Sequence, residues 1–125
     1  LPLGEAFQLR DDILGVFGDP AETGKPAGDD LREGKRTYLI AAAFAAADER
    51  TAKVLREGLG NPNLDAAGIT MLREIIIRTG ALARTEARIA DLTKASLRAL
   101  DSVKLANGAG EMLAALAHAA TDRTL

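Results

Sequence analysis

Alanine sets the terms on which this chain can fold. One residue in five is alanine, 25 of 125, and alanine is the best helix former on the propensity scale. One tyrosine, three phenylalanines and no tryptophan accompany it, so a core has to be built from Ala, Leu, Ile and Val. No segment alternates apolar and polar residues as a half-buried strand requires. The expected fold class is all-α, a helical bundle. A length of 125 residues fits one domain able to bury a core.

Apolar spacing places the helices. Leu3, Phe7, Leu14 and Phe17 recur at helical intervals and predict a first helix over Leu3–Phe17. Gly18-Asp19-Pro20 ends it, because proline cannot continue a helix and restricts the residue before it. Pro20 to Arg36 holds Gly24, Gly28, Gly34, Pro26 and many charges but no apolar period, and reads as a long loop or a set of turns. Loops of this length without structure are commonly disordered or functional. Tyr38 to Leu59 reads as a single Ala-rich helix stopped by Gly58 and Gly60. Asn63 or Asp65 can cap the next helix, Ala66–Thr79, whose Ile69, Leu72, Ile75 and Ile76 share a face. Gly80 marks a break. Ala81–Leu105 follows, with Leu82, Ile89, Leu92, Ala99 and Val103 as its apolar stripe. Asn107-Gly108 precedes a last helix, Ala109–Ala120, with Met112, Leu113 and Leu116 inward.

Several function classes drop out at this stage. The net charge is -2, against the basic excess that nucleic-acid binding normally needs. The lack of cysteine removes disulfides, zinc-thiolate sites and thiol catalysis. It fits a reducing compartment, and a cytoplasmic protein is expected. There is no signal-peptide pattern. No apolar run is long enough to span a membrane, the Ala-rich Ile40–Ala47 included. His118, the one histidine, sits on a late Ala-rich helix and receives no role.

The chemistry gathers between Phe7 and Thr37. Asp11 and Asp12 are adjacent on the first helix, about 100° apart, and Gln8 lies three and four residues before them, on the same side. They fall in the C-terminal half of that helix, where the macrodipole favours cations. A carboxylate pair there needs a positive partner, either Arg10 or a metal ion. Carboxylate oxygens without histidine or cysteine specify a hard ion, Mg²⁺ or Mn²⁺. The loop that follows supplies Lys25 after Gly24 and Lys35 after Gly34, compact point charges suited to phosphate oxygens. An acidic pair followed by a Gly-rich loop with spaced lysines is a layout for a metal-bridged phosphate ligand. Each part alone has a plainer reading: adjacent aspartates are commonly solvated surface, and a lysine in a Gly-Pro loop is commonly a solvated turn.

In order, the stretch carries Phe7-Gln8, Asp11-Asp12, Gly24-Lys25, Gly28-Asp29-Asp30-Leu31 and Glu33-Gly34-Lys35-Arg36-Thr37. It resembles the second aspartate-rich region of the trans-prenyltransferases, the polyprenyl diphosphate synthase family, of the geranylgeranyl or a related short-chain type. Leu72-Arg73-Glu74-Ile75-Ile76 and Thr79-Gly80-Ala81-Leu82 extend the likeness to the family's C-terminal helices. The resemblance implies that residues 1–125 are the C-terminal portion of a polyprenyl synthetase domain with an isoprenoid synthase fold. It implies an enzyme of isoprenoid biosynthesis that ionises an allylic diphosphate, whose cation is attacked by isopentenyl diphosphate with loss of a proton. It also implies Mg²⁺, with Mn²⁺ as an alternative, at Asp11 and Asp12, and Asp11 as the stronger candidate for direct coordination. Lys25 and Lys35 would contact the allylic diphosphate, Gln8 would line the pocket or orient a ligand, and Phe7 would serve packing. A homodimer is compatible with the family pattern.

Two departures qualify what the likeness implies. The family's third aspartate, three residues after the pair, is Gly15 here, and Asp19 comes four residues later, past the helix end. The first aspartate-rich region and the basic residues for isopentenyl diphosphate lie upstream in the family, and no segment here matches them. The expectation is therefore a chain with half an active site. A non-catalytic prenyltransferase-like subunit and a plain helical interaction domain stand as the alternatives.

Overall fold

The computed structural model describes residues 1–107. The expected helix at Ala109–Ala120 and His118 lie outside the described residues. Among the described residues the chain is all-α. Its helices are α1 (Pro2–Phe17), α2 (Pro20–Thr23), α3 (Asp29–Glu33), α4 (Tyr38–Ala46), α5 (Glu49–Gly58), α6 (Ala66–Arg78) and α7 (Ala81–Asn107). Chain contacts group them into two units, residues 11–85 and residues 1–10 with the described chain from 86 onward.

α1 ends as expected. The Gly18 amide donates to the Leu14 carbonyl at 2.8 Å, and Pro20 opens the next helix. The buried stripe is Ala6, Leu9, Ile13 and Val16, while Leu3, Phe7, Leu14 and Phe17 are half-buried. The two stripes lie about 100° apart around the helix. Both are apolar, so periodicity does not choose between them.

The segment from Pro20 to Arg36 is not one loop. Asp19 accepts a hydrogen bond from the Ala21 amide at 2.9 Å and starts α2 with Pro20 in its first turn. Gly24 closes α2 in the left-handed region, and Gly28 and Gly34 flank α3 in the same way. Helices of four and five residues are set by caps rather than by an apolar period, which is why periodicity misses them. Asp19 is thereby committed to a cap and does not replace the missing third aspartate.

The expected helix from Tyr38 to Leu59 is two helices. Ala47 is extended, and Asp48 accepts from the Thr51 amide at 2.7 Å to start α5. The aspartate cap overrides the helix preference of the alanines around it. Asp65, not Asn63, caps α6 through the Gly68 amide at 2.8 Å. α6 packs on both α4 and α5 and buries Ile69, Leu72, Ile75 and Ile76, the face that the spacing predicts. Leu39, Ala43 and Leu55 complete that core.

Thr79-Gly80 separates α6 from α7, with Gly80 at φ 83. α7 buries Ala81, Thr85, Ile89 and Ser96. Leu82 and Leu92 are half-buried, and Ala99 and Val103 are exposed, so the expected stripe holds only at Ile89. The face was misplaced because two of its buried members are polar. Their hydroxyls bond back to carbonyls one turn earlier, Thr85 to Ala81 at 2.8 Å and Ser96 to Leu92 at 3.0 Å, so their burial leaves no unmet donor. In the unit that joins the start of α1 to α7, Arg88 donates to the Glu5 carboxylate. Among the described residues no helix is long and apolar enough to cross a membrane.

Two outcomes follow. Leu72→Ala removes a side chain that is 1% exposed and is expected to cost about 2–5 kcal/mol in urea unfolding. Asp48 has its pKa lowered from 3.8, first by the Thr51 amide and then by the Thr51 hydroxyl. A depressed carboxylate contributes stability above its unfolded pKa and loses it as pH falls through the folded value. Asp48→Ala is therefore expected to lower the urea midpoint at neutral pH, and the gap to the unaltered chain should close below about pH 4.

Candidate functional site

The glycine-rich segment owes its shape to contacts along its whole length. Arg32 donates from Nη1 to the Ala27 carbonyl at 2.7 Å and from Nε to the Leu64 carbonyl at 3.1 Å. The Gly60 amide donates to the Leu31 carbonyl at 2.8 Å, and Leu31 is fully buried. Gly34 lies directly against Gly60: a Cβ on Gly34 would come 2.9 Å from the Gly60 Cα. α3 is thus docked on the turn after α5 and tied back to its own approach. Lys35 follows at once, its amide donating to the Asp30 carbonyl at 3.0 Å. Thr37 then caps α4 through the Ile40 amide at 3.2 Å.

This docking carries Lys35 to the acidic pair. Its Nζ lies 3.7 Å from Asp12 Oδ1 and 3.8 Å from Asp30 Oδ2. The Asp12 and Asp30 side chains are each 7% exposed, against 44% for Lys35. Asp11 is half-buried. Two nearly buried carboxylates therefore share one ammonium. The donors are all carboxylate oxygens, so the residues present fit a hard divalent ion.

A second cation serves the end of α1. Arg73 Nε donates to the Val16 carbonyl at 2.6 Å, where a positive charge complements the helix dipole. Burial lowers its pKa. Arg73 Nη2 and Arg10 Nε are buried without a hydrogen-bond partner.

Of the residues singled out from the sequence, Asp12 and Lys35 are brought together. Lys25 is exposed; its amide bonds the Thr23 hydroxyl at 3.2 Å, and among the described residues its ammonium joins no ion pair. Gln8 is exposed on α1. Asp30 was missed as a participant, although it stands inside the motif. Its carboxylate lies beside Gly15, where a Cβ would be 1.9 Å from Asp30 Oδ2, a proximity that only the fold reveals. Asp29, Asp30 and Glu33 also bring carboxylate oxygens within 4.8 Å of one another. Acidic residues in the first turn of a helix are favoured there by the dipole alone.

The polyprenyl synthetase family model matches residues 1–76, and the chain belongs to that family. It is 43% identical over 76 residues to the geranylgeranyl diphosphate synthase of Saccharolobus solfataricus, covering 61% of this chain and 23% of that protein. It is 44% identical over 85 residues to the geranylfarnesyl diphosphate synthase of Aeropyrum pernix, covering 68% of this chain and 26% of that protein. Among solved structures, one of the geranylgeranyl pyrophosphate synthase from Corynebacterium glutamicum, complexed with isoprenyl diphosphate and magnesium, matches with a TM-score of 0.90 and 47% identity. That match covers 98% of this chain and 35% of the other. The polyprenyl synthetase from Streptomyces coelicolor matches with a TM-score of 0.84 and 30% identity, covering 95% and 37%. The all-α architecture is that of the isoprenoid synthase fold of these neighbours. The chain spans about a quarter of the length of the curated relatives it matches.

Gly34 tests how far the site depends on docking. Its φ of 68 costs an alanine about 1–2 kcal/mol, before the contact with Gly60 is counted. Gly34→Ala is expected to lower the urea midpoint accordingly and to speed proteolytic cleavage within residues 24–37. Unchanged cleavage would show that the segment does not rely on this contact.

Proposed function

We propose that residues 1–125 are the C-terminal portion of a polyprenyl diphosphate synthase and supply one wall of its active site. In this reading the whole enzyme, an isoprenoid-biosynthetic prenyltransferase of the geranylgeranyl type, joins an allylic diphosphate to isopentenyl diphosphate. The observation that carries the proposal is the approach of Lys35 to Asp12. It joins the Gly-rich loop and the acidic pair in one place, as a ligand bearing both phosphate and metal requires.

Asp11 and Asp12 would hold Mg²⁺, or Mn²⁺ in its place, with the half-buried Asp11 the more open of the two. When bound, the ion would neutralise the diphosphate and stabilise it as a leaving group. Lys35 meets the allylic diphosphate as a point charge beside that ion, and Lys25 reaches it from the exposed turn at Gly24. Gln8 offers an amide that orients the ligand. The neighbour from Corynebacterium glutamicum, crystallised with magnesium and isoprenyl diphosphate, supports the ligand class. A non-catalytic subunit is the second reading, favoured by Gly15 where the family has its third aspartate.

Melting temperature tests the site. Mg²⁺ with inorganic diphosphate is expected to stabilise the chain by mass action, about 2.7 kcal/mol at a hundredfold excess over Kd, and each alone by less. Asp11→Asn and Asp12→Asn should abolish the joint shift. A joint shift that survives in both variants would place the ligand elsewhere and sink the proposal. Purified by itself, the chain should not condense isoprenyl diphosphates, and turnover by it would contradict the half-site reading.

A further inference from the structure

The end of α1 lacks a donor that the next turn of a helix would supply. The last four carbonyls of a helix have no partner within it. The Leu14 carbonyl is met by the Gly18 amide at 2.8 Å. In a continued helix the Val16 carbonyl would accept from residue 20, but residue 20 is proline and has no N–H. Asp19 also turns the chain away, extended at ψ 133. Val16 is 1% exposed, so solvent cannot serve its carbonyl, and a buried acceptor left unmet is costly. No basic residue stands in the last turn of α1. The donor comes instead from 57 residues further on, where Arg73 Nε reaches the Val16 carbonyl at 2.6 Å. Leu72 and Ile76, 1% and 0% exposed, fix the stretch of α6 from which Arg73 extends. The guanidinium takes a poor place to make this bond, since its Nη2 is buried with no hydrogen-bond partner.

We propose that Arg73 is a positioning residue, which closes the last turn of α1 and so keeps Asp12 facing Lys35. Val16 follows Asp12 by four residues, and in a helix its amide is the partner of the Asp12 carbonyl. Fraying that starts at an unmet Val16 carbonyl therefore loosens the backbone that carries Asp12. The Asp12 carboxylate is 7% exposed and 3.7 Å from Lys35 Nζ, a contact that a change of rotamer would break. The donor is also a cation, and it meets the negative end of the helix dipole one turn beyond two aspartates. The effect on diphosphate binding rests on the functional reading above; the hold on Asp12 does not.

Three variants test this. Arg73→Met keeps the bulk and removes both donor and charge. Arg73→Lys keeps donor and charge in another shape. Ile75→Val weakens the core of the same helix and leaves the guanidinium in place. The two Hβ couplings of an aspartate held in one rotamer differ in the NMR spectrum, and rotamer exchange averages them. Those of Asp12 should differ in the unaltered chain, average in Arg73→Met and recover in Arg73→Lys, while Ile75→Val leaves them unchanged. Hydrogen exchange at the Val16 and Gly18 amides should quicken about tenfold or more in Arg73→Met, with that at Ile76 unaltered. Calorimetry with Mg²⁺ and inorganic diphosphate should find binding weakened about tenfold in Arg73→Met and unchanged in Ile75→Val. Unchanged Asp12 couplings in Arg73→Met, or an equal loss in Ile75→Val, would overturn the positioning role. Should the unaltered chain take up no diphosphate, the functional reading fails, and the couplings and the amide exchange still decide the part played by Arg73.

Discussion

Two carboxylates that are almost out of solvent, Asp12 and Asp30, share the ammonium of Lys35. Placing charge where water is scarce is costly unless a partner of opposite sign is fixed nearby. Lys35 can be that partner only if α3 is docked, and α3 docks only because backbone meets backbone at Gly34 and Gly60. Arg32 completes the attachment by reaching carbonyls on both sides of the segment. A motif that looks like a list of letters is therefore a mechanical chain. Gly34 allows the approach, Leu31 and Arg32 hold it, and Lys35 is delivered by it.

The same arrangement explains how the acidic pair can stand in the second half of α1. The helix dipole opposes carboxylates there. Lys35 answers Asp12 from the loop, and Arg73 answers the last-turn carbonyl of Val16 from α6. Each cation comes from a different part of the chain, so the site exists only in the folded state.

Much of this was legible in the sequence. α6 has four large apolar residues at helical spacing and few competing faces, so its buried side could be read directly. The all-α class followed from alanine content and the absence of alternation. What escaped has common physical causes. Caps at Asp19 and Asp48 outweigh the apolar or alanine pattern around them, so α2 was missed and one helix became two. Thr85 and Ser96 are buried because their hydroxyls are satisfied one turn back, and an apolar count passes over them. At the site, residue type and spacing single out Asp11, Asp12 and Lys35 as candidates, and the fold brings Asp12 and Lys35 together. The approach of Asp30 to Lys35 depends on the turn that closes α3, and no pattern along the chain records it.

In the proposed enzyme the acidic pair and the loop lysine form one cation and diphosphate site. Mn²⁺ with inorganic diphosphate tests it most directly, because the paramagnetic ion broadens the NMR signals of the residues around it. Asp11, Asp12 and Lys35 are expected to broaden together at the lowest Mn²⁺ concentrations, and added diphosphate to strengthen the effect. Broadening centred on Asp29 and Glu33, with Asp11 and Asp12 unaffected, would contradict it.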